Sequence, residues 1–223
     1  MKSNDILRSW KANAENWISV IDKNEIESRT LVTNAAIFEI IVKYNPKKVI
    51  DIGCGEGWLT RRLIASGIAT HGIDAIESLI KNAVEKGGNN YSVCSYENFI
   101  SGRWSLIDQF DAAAINFALL DKTITEKLLQ YLSQSLMKES LIFIQTLHPF
   151  SIALTETYES GWKDGSWNGL KKDFTDPYQW YFRTLEDWIK LFNSSGLILK
   201  ELKEPIHPQT KKPVSVIFVL KVL

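Results

Sequence analysis

Val49-Ile50-Asp51-Ile52-Gly53-Cys54-Gly55-Glu56-Gly57-Trp58 is the stretch that decides the fold. A short apolar run, read as a buried strand over Lys48–Ile52, breaks into a turn of alternating glycines. A helix then follows from Trp58 to Ser66, with Gly67 placed to end it. Glycines in such a turn let the backbone approach a ligand at a helix N-terminus. Twenty-one residues after Gly53, at the end of the next apolar run Ala69–Asp74, stands Asp74. A carboxylate there can accept both hydroxyl hydrogens of a ribose, so the pair points to an adenosine-containing ligand. A dinucleotide fingerprint would need a third glycine where Trp58 stands. An NAD-dependent oxidoreductase is therefore the weaker alternative. No Lys-Ser/Thr follows the glycines, which excludes a phosphate-cradling P-loop. Asp51, opening the loop, repels a pyrophosphate and suits an ammonium or sulfonium.

Outward from this stretch, apolar runs alternate with helical spacing. Ile6, Leu7, Trp10, Ala14, Trp17, Ile18 and Ile21 mark one face of an N-terminal helix. Asn24 and Glu27 have capping-box spacing, so a second helix is expected from Asn24 through Ile37, Ile40 and Ile41, ending before Pro46. After the glycine turn come an expected helix at Ala75–Lys86, strands at Tyr91–Cys94 and Phe110–Asn116, a helix at Asp121–Met137 and a strand at Ser140–Thr146. A helix at Thr184–Ser194 precedes two strands, Leu197–Glu204 and Val214–Leu220. Their loop, with Pro205, Pro208 and Pro213, is too short for a helical crossover and makes the pair antiparallel. Strands that are apolar throughout and alternate with helices predict an α/β fold, a parallel sheet covered on both faces.

Composition excludes several classes. Lys+Arg 26 against Asp+Glu 26 leaves no basic footprint for nucleic acid. The longest apolar run, near Val214–Leu220, is too short to span a bilayer, and the polar start Met1-Lys2-Ser3-Asn4-Asp5 does not read as a signal peptide. Cys54 and Cys94 form no CxxC, which fits a reducing cytoplasm. The sequence leaves the oligomeric state open. One stretch is unusual: nine aromatic residues fall between positions 150 and 183, from Phe150 to Phe182.

The ordered set resembles the class I S-adenosylmethionine (SAM)-dependent methyltransferases over nearly the whole chain. The resemblance rests on Asp51–Gly57, Asp74, Cys94-Ser95-Tyr96-Glu97, and Phe110-Asp111 to Asn116-Phe117-Ala118-Leu119-Leu120. The segment from Trp180-Tyr181-Phe182-Arg183 through Ser195-Gly196-Leu197 to Glu204-Pro205 is similar to the small-molecule branch near the quinone-biosynthesis methyltransferases. The resemblance implies a Rossmann-like sheet of seven strands in order 3-2-1-4-5-7-6 with the last strand antiparallel. It divides the chain into an N-terminal helical cap (1–45), a SAM-binding core (46–149), an aromatic lid insertion (150–183) and a C-terminal helix and strand pair (184–223).

It also implies roles. Asp51 with Gly53, Cys54, Gly55, Gly57 and Trp58 would surround the methionine end, Asp51 acting on the amino group. Asp74 would take the ribose hydroxyls, Ala75 and Ile76 the adenine face, and Ser95 and Tyr96 the adenine edge. Asn116 and Phe117 would line the methionine beside the methyl group, and Arg29 would meet the carboxylate, a pairing suited to a guanidinium. The implied product is S-adenosylhomocysteine, and a SAM-binding protein without turnover is the non-enzyme alternative.

The acceptor is less legible. Neither cysteine follows a proline, as a cytosine-type nucleophile would, and Asn116 is not followed by Pro-Pro, as in amino-methyltransferases. No metal-ligand motif is present. His148, after the fifth strand, is a candidate to touch the acceptor, while His71 reads as structural and His207 as an exposed loop residue. The aromatic stretch reads either as a small core against the N-terminal helices, with Trp10 and Trp17 there as core, or as a lid. As a lid it would bring Trp180, Tyr181 and Arg183 nearest the methyl group, Tyr181 binding an acceptor hydroxyl and the rings holding a planar or cationic substrate.

Overall fold

A computed structural model describes residues 2–102, 107–154, 156–170 and 173–223. Five parallel strands, β1 (Lys48–Ile52), β2 (Ala69–Asp74), β3 (Tyr91–Val93), β4 (Ala112–Asn116) and β5 (Leu141–Leu147), share a sheet with β8 (Leu197–Lys203) and β9 (Ser215–Val222). The order is β3-β2-β1-β4-β5-β9-β8. β9 runs antiparallel to both of its neighbours. This is the expected order, because β6 (Gly161–Lys163) and β7 (Trp180–Phe182) form a separate antiparallel ribbon. β1 and β2 occupy their expected residues, since a strand buried on both faces is an uninterrupted apolar run between turn signals.

Alternate residues of each strand feed two cores. On one face Ile50, Ile52, Ile115 and Ile144 pack with Leu128 and Leu132 of α6 (Lys122–Ser135), Trp188 and Phe192 of α8 (Leu185–Ser194), and Phe99 of α5 (Tyr96–Ile100). On the other, Val49, Ala114 and Phe143 pack with Ile37, Ile40 and Ile41 of α2 (Asn34–Tyr44) and with Leu59 and Leu63 of α3 (Trp58–Ala65). Asp121 caps α6 by accepting the Ile124 N–H at 2.9 Å, and Thr184 caps α8 by accepting the Asp187 N–H at 3.2 Å. Both helices therefore start one residue after the expected position.

Two local expectations are corrected. Asn24 does not cap a helix: its φ is +54° and its N–H donates to the Ile21 carbonyl, so it terminates α1 (Lys2–Asp22) in a left-handed conformation that asparagine tolerates. Helical structure resumes at Glu27 and passes through a π-helical turn, Arg29–Thr33, before α2. His207 is buried, with Nδ1 accepting the Gln209 and Thr210 N–H groups at 3.3 Å. His71 lies half-buried in β2, 2.9 Å from the Ser92 hydroxyl.

The aromatic stretch, apart from residues 155 and 171–172 outside the described set, folds as α7 (Pro149–Ala153), the β6–β7 ribbon and a cluster against α1. The Trp167 ring stacks on Phe174 at 4.7 Å and meets Trp10 and Tyr178 edge-on at 4.9 and 5.4 Å. Polar bonds fasten the same surfaces. Trp167 Nε1 donates to Ser9 Oγ at 3.0 Å, Trp10 Nε1 donates to the Tyr178 hydroxyl at 3.1 Å, and the Asn13 amide bonds both backbone groups of Thr175. The insertion and α1 thus share a small core of their own beside the sheet.

Phe143, fully buried at the centre of β5 against Tyr44 at 5.8 Å, tests the sheet–α2 core. Phe143→Ala is expected to cost about 3–5 kcal/mol, seen in urea unfolding as a lower midpoint with an unchanged slope. A cost under ~1 kcal/mol would contradict this packing.

Candidate functional site

A cavity of about 480 Å³ opens at the carboxyl ends of β1, β2 and β4. β2 lies to one side of β1 and β4 to the other, so this is the point where the strand order reverses, the usual ligand crevice of open α/β sheets. The glycine loop forms its floor. Gly53 has φ +75°, and a Cβ there would stand 2.5 Å from the Ala118 Cβ and 2.7 Å from the Tyr96 hydroxyl. Gly57, at φ +81°, precedes α3 beneath Tyr91, whose ring a Cβ would meet at 2.7 Å.

Two acids, the half-buried Asp74 and the buried Asp51, face the cavity. Asp74 accepts the Gly55 N–H on Oδ2 and the Ile76 N–H on Oδ1, both at 2.9 Å, which ties the end of β2 to the glycine loop. Each oxygen keeps a lone pair for a further donor. Burial pushes its pKa up. Asp51, only 1% exposed, accepts the Thr60 hydroxyl on Oδ2 at 2.7 Å, while its Oδ1 is buried with no partner among the described residues. Desolvation pushes Asp51 up to about 7 despite the Thr60 bond, with the Asp74 charge adding to the shift. Glu56, equally buried, pairs with Arg61 at 2.6 Å and Lys86 at 3.5 Å and has Oε1 unpartnered among the described residues.

Of the expected ligand residues, Arg29, Asp51, Gly53, Cys54, Gly55, Trp58, Asp74, Ala75, Ile76, Tyr96, Asn116 and Phe117 all line the cavity. Arg29 leaves the π-helical turn with its guanidinium 5.6 Å from the Trp17 ring and 5.4 Å from the Trp58 ring. Its Nη2 has no hydrogen-bond partner among the described residues, and burial lowers its pKa to about 10. Asn116, ending β4, likewise has an unpartnered Oδ1. Phe117 follows with φ +54°, its N–H held by the Gln145 carbonyl at 2.8 Å. Tyr96 donates to the Ala118 carbonyl at 3.0 Å, bracing the loop after β4. Burial raises the Cys54 thiol well above its ordinary pKa, so it is a small wall residue rather than a nucleophile.

Three expectations fall outside the cavity wall. Gly57 serves the turn beneath Tyr91. Ser95 caps α5, its hydroxyl accepting the Asn98 N–H at 3.2 Å, while Glu97, two residues on, lines the cavity instead. His148 is corrected outright: Nδ1 accepts the Phe150 N–H at 3.1 Å to cap α7, and Nε2 faces Glu204 Oε1 at 2.8 Å. With both nitrogens engaged, and absent from the lining, it is a structural histidine.

The insertion and α1 supply further walls, with Trp17 of α1 standing over Gly55 and Arg29. Trp167, Tyr178, Trp180, Tyr181, Phe182 and Arg183 line the cavity together with Ser3, Ile6, Leu7, Trp10 and Trp17. The small core and the cavity wall are therefore opposite sides of one assembly. Ser3, Ile6, Leu7, Glu56, Glu97 and Asp121 escape sequence reading as site residues. The apolar face of α1 is visible in the sequence, but what it packs against is a long-range matter that helical spacing does not report.

The chain matches no family model and no curated protein. Its structure is similar to that of a SAM-dependent methyltransferase from Clostridium acetobutylicum (13% identity, 93% of this chain and 97% of that one, TM-score 0.65). It is also similar to a SAM-dependent methyltransferase from Mesorhizobium loti (17%, 84% and 99%, TM-score 0.63). A third is the Burkholderia thailandensis 1,6-didemethyltoxoflavin-N1-methyltransferase, solved with 1,6-didemethyltoxoflavin and S-adenosylhomocysteine (11%, 95% and 87%, TM-score 0.67). At these identities the likeness is one of fold, that of the class I methyltransferases, and it does not single out the quinone-biosynthesis branch.

The buried acid sets a pH dependence. A carboxyl raised from about 3.9 in the unfolded chain to about 7 when folded removes stability as pH climbs: the cost is absent below the lower value and complete above the higher. The protein without ligand is expected to lose thermal stability across that window. Asp51→Asn, neutral and still able to accept from Thr60, should lose less. Melting curves that stay parallel for the two proteins from acid to neutral pH would contradict the assignment.

Proposed function

We propose that this chain transfers a methyl group from SAM to a small-molecule acceptor. The observation that carries the proposal is the convergence of unfilled polar atoms on one cavity: Asp51 Oδ1, Asn116 Oδ1, Arg29 Nη2 and the remaining lone pairs of Asp74. Buried polar atoms are rarely left unpaired, so their gathering on one cavity supports a polar ligand there. The set fits a ligand with an ammonium, a carboxylate and a diol. Asp51 and Asn116 take the ammonium, Arg29 the carboxylate and Asp74 the ribose. Ile76 and Leu79 offer an apolar face for the adenine, and Glu97 an acceptor for its amino edge. A pyrophosphate fits poorly beside Asp51 and Glu56, and Trp58 fills the place where a dinucleotide site needs glycine.

Bound SAM supplies a methyl carbon on a sulfonium, which departs as a thioether when the acceptor's nucleophilic atom takes the methyl. The chain's work is alignment. Phe117, held in its left-handed conformation, and Asn116 border the reacting end, and the aromatic walls exclude water. Holding two reactants in line is worth about 7–11 kcal/mol without a protein nucleophile. Where the acceptor must lose a proton, Asp121 is the carboxylate at this end of the cavity. Its oxygens hold the Ile124 N–H and the Ser3 hydroxyl and keep a lone pair each. The likeness of the C-terminal segment to the quinone-biosynthesis branch supports a small acceptor.

Asp74→Ala removes a charged acceptor worth about 1.5–3 kcal/mol, so SAM affinity should fall by about one to two decades in a protein that still folds. Trp180→Ala should reduce methyl transfer to a metabolite extract, with SAM affinity held within about twofold. Unchanged SAM affinity in folded Asp74→Ala would sink the ribose assignment. SAM binding with no transfer to any extract would favour a binding protein.

A further inference from the structure

Arg183 is a cation that neither the fold nor the SAM reading uses up. It follows β7, is only 4% exposed, and lines the cavity at the end away from Asp74. Its guanidinium lies 4.7 Å from the Tyr181 ring centre and 5.1 Å from that of Trp188. Nη2 donates to the Lys122 carbonyl at 2.8 Å and stands 3.6 Å from the half-exposed Glu126, and the buried Asp121 carboxylate adds a second negative charge nearby. Nη1 is buried and has no hydrogen-bond partner among the described residues. A buried guanidinium with an unused N–H group is costly, and desolvation lowers the Arg183 pKa although Glu126 and Asp121 oppose the shift. An oxyanion would relieve that cost directly.

The rings around it narrow the choice further. Two of the chain's own cations already stand at the ring next to Arg183. Arg183 and Lys122 lie 4.7 and 5.6 Å from the centre of the Tyr181 ring. A third positive charge beside Tyr181 would be repelled by both, and a negative one attracted. The flat apolar walls of Trp10, Trp167 and Trp180 remain for a planar ring. Building on the methyltransferase reading, we propose that the acceptor is a planar aromatic or heteroaromatic molecule bearing an oxyanion, and that Arg183 holds that oxyanion while the tryptophans hold the ring. Arg183 then fixes which edge of the ring faces the methyl group, which makes it a determinant of both acceptor choice and regiochemistry.

Three probes of one shape separate charge from ring: 2-naphthoate, 2-naphthamide and (2-naphthylmethyl)ammonium, each titrated calorimetrically into the protein alone and into protein saturated with S-adenosylhomocysteine. The expected order is naphthoate tighter than naphthamide by at least about tenfold, with the ammonium weakest. In Arg183→Met the anion preference should vanish while naphthamide and S-adenosylhomocysteine affinities stay within about twofold. In Arg183→Lys it should be reduced but present. Equal binding of acid and amide, tightest binding of the ammonium, no binding of any probe, or an anion preference that survives in folded Arg183→Met would each overturn the proposal. Should Arg183→Met fail to fold, the wild-type ranking of the three probes decides alone. Failure of S-adenosylhomocysteine to bind would count against the donor site, while the probe ranking in the protein alone would still test Arg183 separately.

Discussion

Where β1 gives way to α3 there is no room for a side chain at Gly53 or Gly57. A Cβ at Gly53 would run into Ala118 and Tyr96, one at Gly57 into Tyr91, and one at Gly72 of β2 would lie 2.8 Å from the Cys54 sulfur. The loop is pressed between the ends of three strands, and only glycine allows the pressing. From that closeness the rest follows. The Gly55 N–H comes within 2.9 Å of Asp74, and Thr60 in the first turn of α3 reaches back to Asp51 at 2.7 Å. The acid at the end of β1 and the acid at the end of β2 then share one desolvated floor. Asp51, buried with one oxygen unpartnered among the described residues, is stabilised only when something positive or hydrogen-donating completes it. The site's chemistry is thus a consequence of how tightly the backbone is packed beneath it.

The other half of the cavity is built on a different logic. Little of it comes from the seven-stranded sheet. A long amphipathic helix and an aromatic insertion, joined through Trp10, Trp167 and Tyr178, stand over the sheet as a wall. Its inner rings give shape and dryness, while its charges are few and specific. The floor suits a zwitterion and a diol, features common to one class of ligand. The wall offers flat surfaces and a buried cation, features that select among many acceptors. On the proposed reading, the glycine loop, the strand ends and Arg29 would serve the donor, and the insertion the acceptor.

Legibility in the sequence divides along the same line. β1, β2 and the glycine loop could be read because each is a local pattern: an apolar run, alternating glycines, an acid at fixed distance. Asp51, Asp74 and Asn116 follow from position at strand ends. The β6–β7 ribbon could not be read, since three-residue strands carry no period and its partners Trp162 and Tyr181 lie far apart in sequence. Asn24 misled because its capping-box spacing with Glu27 is also compatible with a left-handed helix stop. His148 and His207 misled because a histidine's partners, Glu204 and two backbone amides, are set by tertiary contacts. The π-helical turn that presents Arg29 leaves no mark in residue type at all.

The central claim is that the floor is shaped for SAM and not for a dinucleotide. Calorimetric titration of the wild-type protein with SAM, S-adenosylhomocysteine and NAD tests it most directly. The account predicts one-to-one binding of both SAM and S-adenosylhomocysteine and none of NAD. Binding of NAD in preference to SAM, or the absence of any heat with SAM and its product, would contradict it.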